Sequence, residues 1–352
     1  MTWEKEAKDI KKREELSLKH GGEESVKIHH QKGRKTLRER LSIILDDGSF
    51  QEVGKIAGDS EYDENGKLKE FTPANFLLGF GKINKRSIVI GGEDFTMKGG
   101  SPNPSGLRKS IYTEELALKY KIPLVRLHEG GGGSVAGAGG TAKKPTVPSG
   151  DAVFSKNRFQ ALAKCLGTIP VATAALGPVA GLPAARLVAS HFSVMTKNSQ
   201  VLIAGPAVVK RALGIDITKE DLGGPNVHLK SGAVDNLAEN EEDALNQIKM
   251  FLSYLPNNYL ELPPKKETKD KRNRIENELL TIIPKERRKT YDVRKLLSFI
   301  LDLNSFFEYG KYYGSSLITG LATLDGQPVA ILANDCRIYA GAMTATASIK
   351  LR

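Results

Sequence analysis

Apolar and polar positions recur with two periods along this 352-residue chain. Apolar residues three and four apart predict an exposed helix over residues 3–20 and an amphipathic one over Thr36–Leu45, with Leu37, Leu41, Ile44 and Leu45 on one face. Asp47-Gly48 ends it. Further helices are predicted over Leu107–Tyr120, Asn157–Leu166, Ala184–Ala189, Pro206–Leu213 and Leu237–Tyr254. Short β-rich runs predict strands over Phe50–Ile56, Leu77–Ile83, Ser87–Ile90, Ile122–Leu127, Ile169–Ala175 and Gln200–Ala204. Between these lie GDSEYDENGKLKE, too hydrophilic for a core, a long loop over residues 91–106, and a glycine-dense loop over His128–Gly140. Strands alternating with helices predict an α/β fold.

Residues 256–290 contain Pro and many charges, the composition of a linker, and after them the pattern begins again. LSFILDLNSF at Leu297–Phe306 lies over LSIILDDGSF at Leu41–Phe50 without a gap. Gly320–Gly341 likewise lies over Gly79–Gly100, with Asp335 on Asp94. Two matches in the same order predict an internal duplication. The first copy runs on past Gly100 to a glycine turn at Gly177–Pro183, whereas the second stops at Arg352. The expectation is a fragment, or a fold whose remainder another polypeptide supplies.

The chemistry of the chain centres on Ile169–Ser190, IPVATAALGPVAGLPAARLVAS: an apolar strand, a Gly/Pro-punctuated turn, then an Ala/Leu/Arg helix. Such a turn is either an ordinary buried strand-to-helix connection or a receiver for an oxyanion, because the first amides of a helix lack intrahelical acceptors. The run Gly130–Gly133 is followed by no Gly-Lys-Ser/Thr and opens no G-x-G-x-x-G helix, so it is no phosphate loop of those kinds. Gly133-Ser134-Val135 lacks the second glycine of a nucleophile elbow, Ala136 standing there. His128 and Glu129, adjacent in an extended segment, point to opposite faces and read as loop anchors. His29 and His30 fall in a basic arm, and His20, His191 and His228 have no metal-ligand partner at a useful spacing, so no metal is expected. Cys165 and Cys336 read as buried small hydrophobes. What remains is a site rich in backbone N–H groups and poor in proton-transfer side chains, suited to holding an enolate while a substrate or cofactor group handles the proton.

Charge changes this picture little. The net +11 comes mostly from residues 1–40, with 12 Lys/Arg against 8 Asp/Glu, and residues 261–290, with 10 against 6. The rest is nearly balanced and shows no nucleic-acid module, so solvated faces account for most of the excess, and a small polyanion such as a CoA nucleotide fits the remainder better than DNA. No apolar run is long enough to span a bilayer and no signal or transit peptide is recognisable, which predicts a soluble cytoplasmic protein, with the mitochondrial matrix as the alternative.

Several stretches resemble the carboxyltransferase (β) subunits of biotin-dependent acyl-CoA carboxylases of the propionyl-CoA and methylcrotonyl-CoA type. They are GGEDFTMKGGS at Gly91–Ser101, IPLVRLHEGGGGSV, LGPVAGLPAARL, VLIAGPAVVKRALGIDITKEDLGG, and TIIPKERRKTYDVRKLLSFILDLNSFFE. The resemblance covers nearly the whole chain. It implies a crotonase-like α/β superhelix, with an N-terminal domain over residues 1–255, a linker over 256–290 and the start of a truncated C-terminal domain over 291–352. It implies acyl-CoA as substrate, carboxybiotin on a partner biotin carboxylase/biotin carrier subunit as cofactor, and homo-oligomers in the full-length form. By position the oxyanion-hole amides fall on Gly181 and Leu182, with Ala180, Gly131, Gly132 and Gly133 as substrate-binding positions. The sequence departs from the family in having Leu182 where a second glycine is common and HEGGGGSV where many members have an Asp-Ser-Gly-Gly-Ala-Arg type loop. The family's second oxyanion hole, for biotin, is implied beyond Arg352. Three functions stay open: acyl-CoA carboxylation, biotin-linked acyl-CoA decarboxylation, and CoA binding or assembly without turnover. The truncated chain alone is expected to bind acyl-CoA weakly, to carboxylate nothing, and to self-associate.

Overall fold

Most of the apolar strands assemble into one sheet whose faces are both covered by helices, and the last three strands of the chain form a separate sheet. A computed structural model describes residues 2–133 and 158–352, apart from 269 and 272. In chain order the described elements begin with helices α1 (Glu4–Leu18), α2 (Glu23–Gln31) and α3 (Leu37–Ile44). Strands β1 (Gln51–Glu52), β2 (Gly58–Tyr62), β3 (Leu68–Pro73), β4 (Phe76–Ile83) and β5 (Arg86–Glu93) follow, then α4 (Pro104–Tyr120) and β6 (Leu124–Gly130). After α5 (Arg158–Leu166) come β7 (Val171–Ala180), α6 (Leu182–Val188), β8 (Phe192–Thr196) and β9 (Gln200–Leu202). Helices α7 (Pro206–Leu213), α8 (Lys219–Gly223) and α9 (Pro225–Ser231) lead to β10 (Asn236–Ala238) and α10 (Glu241–Ser253). The last elements are α11 (Val293–Ile300), β11 (Phe307–Glu308), β12 (Leu317–Leu324), β13 (Gln327–Asn334) and α12 (Ala345–Leu351). Among the described residues no helix is long and apolar enough to cross a membrane.

The main sheet has the order β1-β4-β5-β6-β7-β8-β10, with β9 beside the end of β7. It is antiparallel at β1, β4 and β5 and parallel from β5 onward. Parallel strands buried on both faces need continuous apolar runs. Ile88 and Ile90 accordingly turn toward Leu37, Leu41 and Ile44 of α3 and Leu245 and Ile248 of α10, while Val89 turns toward Leu116 and Ala117 of α4. The helix starts are set locally. Thr36 and Glu39 form a reciprocal capping box on α3, and Asn103 accepts from the Gly106 N–H at 2.7 Å to start α4.

The structure shifts several expected boundaries. The hydrophilic stretch is an antiparallel hairpin, β2–β3, in its own two-stranded sheet; Asp63 closes its turn by accepting the Asn65 and Lys67 N–H groups. Phe50–Ile56 contracts to β1 because the chain turns at Gly54, φ +66°. The long loop gives its first residues to β5 and its last to α4. Helix α2 was not expected, its sequence EESVKIHHQ being nearly all polar. Asn240 caps α10 at Asp243, so the helix begins later than Leu237, which lies in β10. Most consequential, β7 does not end at Ala175 but runs to Ala180. Gly177-Pro178 is strand, not turn. The expected residue Asn157 and the segment 134–157, with Ser134 and Ala136, lie outside the described residues.

The duplication is visible in backbone detail. Strands β11-β12-β13 repeat the antiparallel order β1-β4-β5, and the hairpin β2–β3 accounts for the first copy's extra length. Arg38 pairs with Glu52 at 2.9 Å, and Arg294 donates to Glu308 at 2.7 Å. The Asp46 carboxylate accepts from the Asn84 and Lys85 N–H groups, as Asp302 does from Asp325 and Gly326. Left-handed Lys98-Gly99-Gly100 reappears as Tyr339-Ala340-Gly341. The second copy docks through Phe307, edge-on to Phe192 at 5.4 Å, and through Asn236, which bonds Glu308 O and Gly310 N.

At the second position of that turn the first copy has Gly99, φ +62°, and the second has Ala340, φ +54°. Ala340→Gly should relieve the Cβ strain, offset in part by the freer unfolded chain, for a net gain of about 0.5–1 kcal/mol. Urea denaturation measures it; a loss of stability would refute the strain.

Candidate active site

Three strand ends converge at the carboxyl edge of the parallel sheet, where open α/β sheets place their ligands. After β5 the chain makes a short turn over Lys98–Gly100; after β6 come Gly131, Gly132 and Gly133; after β7 comes Gly181, then α6. These segments touch backbone to backbone. The Gly131 N–H donates to Gly99 O at 2.8 Å. A Cβ on Gly100 would lie 2.6 Å from Glu129 O, and one on Gly132, at φ +69°, would lie 2.6 Å from Ala180 O. Contact this close explains the glycines at these positions.

Between these turns and α4 lies a cavity of about 290 Å³. Of the six expected positions, Gly132, Gly133 and Leu182 line it. Gly131 and Ala180 support it from behind through the contacts just described. Gly181 supplies the bend, with φ +67° and ψ −127°, and its own N–H is occupied, donating to Leu202 O at 2.9 Å. Because Gly181 takes the unusual conformation, Leu182 starts α6 with ordinary backbone geometry, and its amide has no intrahelical acceptor.

Two buried charge clusters brace this arrangement, one on each face of β6. Leu127 and Glu129 turn to the α3 face. The Glu129 carboxylate, wholly buried, lies 2.6 Å from the Arg40 guanidinium, 3.1 Å from Arg34 and 3.4 Å from the His29 ring. Arg40 also grips Glu241 at the start of α10, at 2.7 Å. Burial pushes the Glu129 pKa up, but the His29 bond and the arginine charges outweigh it, so it ends below the ordinary 4.5. On the α4 face, Arg126 pairs with Glu114, and Glu114 also accepts from Arg186 Nε at 3.1 Å. There too His128 Nδ1 lies 3.1 Å from Glu93. Glu93 lines the cavity; burial raises its pKa, yet His128, Arg126 and Arg186 leave it lowered. An ionised, engaged carboxylate with a lowered pKa is a weak base.

These clusters correct part of the sequence reading. His29, Arg34 and Arg40 are not a solvated basic face but the inner shell of Glu129. His128 and Glu129 do point to opposite faces, each to its own partners. Arg126, Glu114, Arg186 and Glu93 were not singled out; a charge inside an apolar strand run, as in LVRL, was the available signal. Cys165 is buried and its thiol is pushed up to about 12 by burial, whereas Cys336 is only half-buried and contacts Tyr291 O.

A mixed sheet with glycine turns gathered at its carboxyl edge, around a cavity with amide donors, defines a crotonase-like α/β protein. The sequence matches the carboxyl transferase domain over residues 28–352, and the chain belongs to that family. It is 31% identical to the propionyl-CoA carboxylase carboxyltransferase subunit of Haloferax mediterranei, across 99% of this chain and 66% of that protein. It is 32% identical to the methylmalonyl-CoA decarboxylase subunit alpha of Veillonella parvula, across 94% of this chain and 63% of that protein. The chain thus spans just under two thirds of these relatives. Among solved structures, transcarboxylase 12S, a hexamer seen with methylmalonyl-CoA bound, matches with a TM-score of 0.86 and 29% identity, over 99% of this chain and 67% of that one.

Because Glu129 is depressed in the folded state, its stabilisation is complete above the ordinary 4.5 and is lost as pH falls below that through the lowered value. Glu129→Gln should therefore cost about 3 kcal/mol at neutral pH, the low end for breaking a buried pair because Arg40 keeps Glu241. The gap to wild type should narrow in acid. Chemical denaturation at several pH values measures both, and a pH-independent gap would sink the assignment.

Proposed function

We propose that the chain is the carboxyltransferase component of a biotin-dependent acyl-CoA carboxylase, moving a carboxyl group from carboxybiotin to the α carbon of an acyl-CoA through a thioester enolate. The observation that carries this reading is the glycine-walled cavity beside the Leu182 amide, with Glu93 and Arg186 already engaged at its wall. Such a site stabilises negative charge and offers no idle side-chain base among the described residues, which fits a cofactor that brings its own. Carboxybiotin supplies CO2 and a ureido group able to take the α-proton. This chain's residues do the rest: the Leu182 N–H holds the thioester oxyanion, Gly181 aims it, and Gly132 and Gly133 let the thioester approach the backbone. The described residues assign no contact to the biotin ring.

The same reading takes residues 1–255 as the acyl-CoA domain, 256–290 as a linker and 291–352 as belonging to a carboxybiotin domain. The partners are a biotin carboxylase/biotin carrier subunit and further copies of the chain. The compartment is the cytoplasm, or the mitochondrial matrix. A second reading, biotin-linked decarboxylation, draws on the similarity to the Veillonella parvula protein.

In the assembly with its biotin-bearing partner, label from carboxybiotin should appear on acyl-CoA. Gly132→Ala, which drives a Cβ onto Ala180 O, should slow this about a hundredfold, as a misplacement near 1 Å does, with circular dichroism unchanged. Net loss of CO2 from a malonyl-type thioester instead would favour decarboxylation. Wild-type transfer by the variant would remove this cavity from the reaction.

A further inference from the structure

The cavity's walls also bear on which acyl group it accepts. The polar side chains around it are turned on one another. Asn75 donates to Ser101 O at 2.5 Å and accepts from the Asn103 N–H at 3.0 Å. Ser110 donates to Leu107 O at 2.9 Å and accepts from Arg186 at 3.0 Å. Arg186 is further held by Glu114, and Glu93 by His128. Among the described residues, what is left to line the space is carbon: Phe76, Pro102, Leu107, Leu182 and Pro183, with glycine backbone opposite.

Size and charge then act together. A cavity of about 150 Å³ holds a six-carbon ring, and this one, at about 290 Å³, is nearly twice that. A two- or three-carbon acyl group would leave most of it empty. A carboxylate at the far end of the acyl chain would have to be buried against carbon and beside ionised Glu93, with the Arg186 guanidinium already bonded to Glu114 and Ser110. Resting on the function proposed above, we infer that the cavity receives an uncharged acyl chain of about six to ten carbons, with Leu107 and Leu182 setting its fit. The chain therefore discriminates for medium-length acyl-CoA over acetyl-, propionyl- and ω-carboxyacyl thioesters; the α-carboxylate of a product is not placed in this cavity.

Calorimetric titration of the protein with CoA and with acetyl-, butanoyl-, hexanoyl-, octanoyl-, succinyl- and glutaryl-CoA, the last two carrying a carboxylate at the far end of the chain, tests this. Affinity should rise about fourfold per methylene from two to eight carbons, the gain for burying one CH2. The two ω-carboxyacyl thioesters should bind more weakly than hexanoyl-CoA. Leu107→Trp, which fills the cavity, should level the series so that octanoyl-CoA binds no tighter than acetyl-CoA. Affinities flat with chain length in the wild type, or ω-carboxyacyl thioesters binding as tightly as hexanoyl-CoA, overturn the inference and leave the carboxyltransferase reading standing. Failure of every CoA species to bind overturns both.

Discussion

The arrangement of the site depends on one buried carboxylate. Glu129 sits at the last turn-inward position of β6, immediately before the glycine loop, and its carboxyl group occupies the space where a side chain on Gly177 would be. A Cβ there would come within 2.5 Å of Glu129 Oε1. The ladder between β6 and β7 shifts register at this point, so that Gly130 pairs with Val179 rather than continuing the spacing set by His128 and Ala175. The bulge makes room for the carboxylate and carries β7 on to Ala180. An ionised group at this depth survives only with compensating charge, and Arg40, Arg34 and His29 provide it. Arg40 lies on α3, His29 near the end of α2 and Arg34 between them, which ties the N-terminal helices to the floor of the glycine loop.

This explains which parts of the fold were legible from the sequence. The sheet was, because both of its faces are buried and its strands are runs such as Ser87–Ile90 with no other destination. Helix α3 was, and so was α4 from Leu107 onward, because their apolar spacing shows independently of tertiary context, whereas the Asn103-Pro104 start of α4 was read as loop. The end of β7 was not. Gly177-Pro178 carries a turn signal, and only the carboxylate of Glu129, 48 positions earlier in the chain, decides that the glycine is there to make room rather than to turn. The charge-paired interior was missed for the same reason: Arg40 looks like the polar side of an amphipathic helix until Glu129 and Glu241 are known to be its neighbours. The glycines of the site were found as a composition signal, but their division into cavity wall and support depends on contacts between segments remote in sequence.

The duplication separates scaffold from site. What recurs in the second copy is the machinery that starts, turns and closes the supersecondary unit: the helix cap, the Arg–Glu pair, the aspartate gripping the hairpin, the left-handed turn. Phe50 lies against Gly79 as Phe306 does against Gly320. Even a lysine recurs: buried Lys109 donates to Gly54 O and half-buried Lys350 to Leu317 O, and desolvation pushes both down, Lys350 to about 8. Glu129, Arg126 and the glycine loop lie outside the repeated stretch. The unit is thus a way of building a sheet edge, and the proposed chemistry falls on β6, β7 and their glycine turns, downstream of the unit in the first copy.

On the function proposed above, the occupied amide of Gly181 decides how the oxyanion would be held. Its bond to Leu202 O is one of the links that seat β9 beside the end of β7. A neutral hydrogen bond of this kind contributes about 0.5–1.5 kcal/mol net, and one to a developing anion about 1.5–3 kcal/mol. Transferring the Gly181 N–H to an oxyanion would gain the difference but strand the Leu202 carbonyl, at about 1–3 kcal/mol for an unsatisfied buried acceptor. The exchange does not improve on the starting arrangement, so the amide stays with Leu202. Gly181 then contributes through its conformation alone. Its positive φ turns the chain so that Leu182 brings both an N–H with no partner among the described residues and an apolar side chain to the same cavity. On the function proposed above, the residue that departs from the family's common glycine is therefore the one at which the carbonyl-holding amide and the acyl-facing wall would coincide.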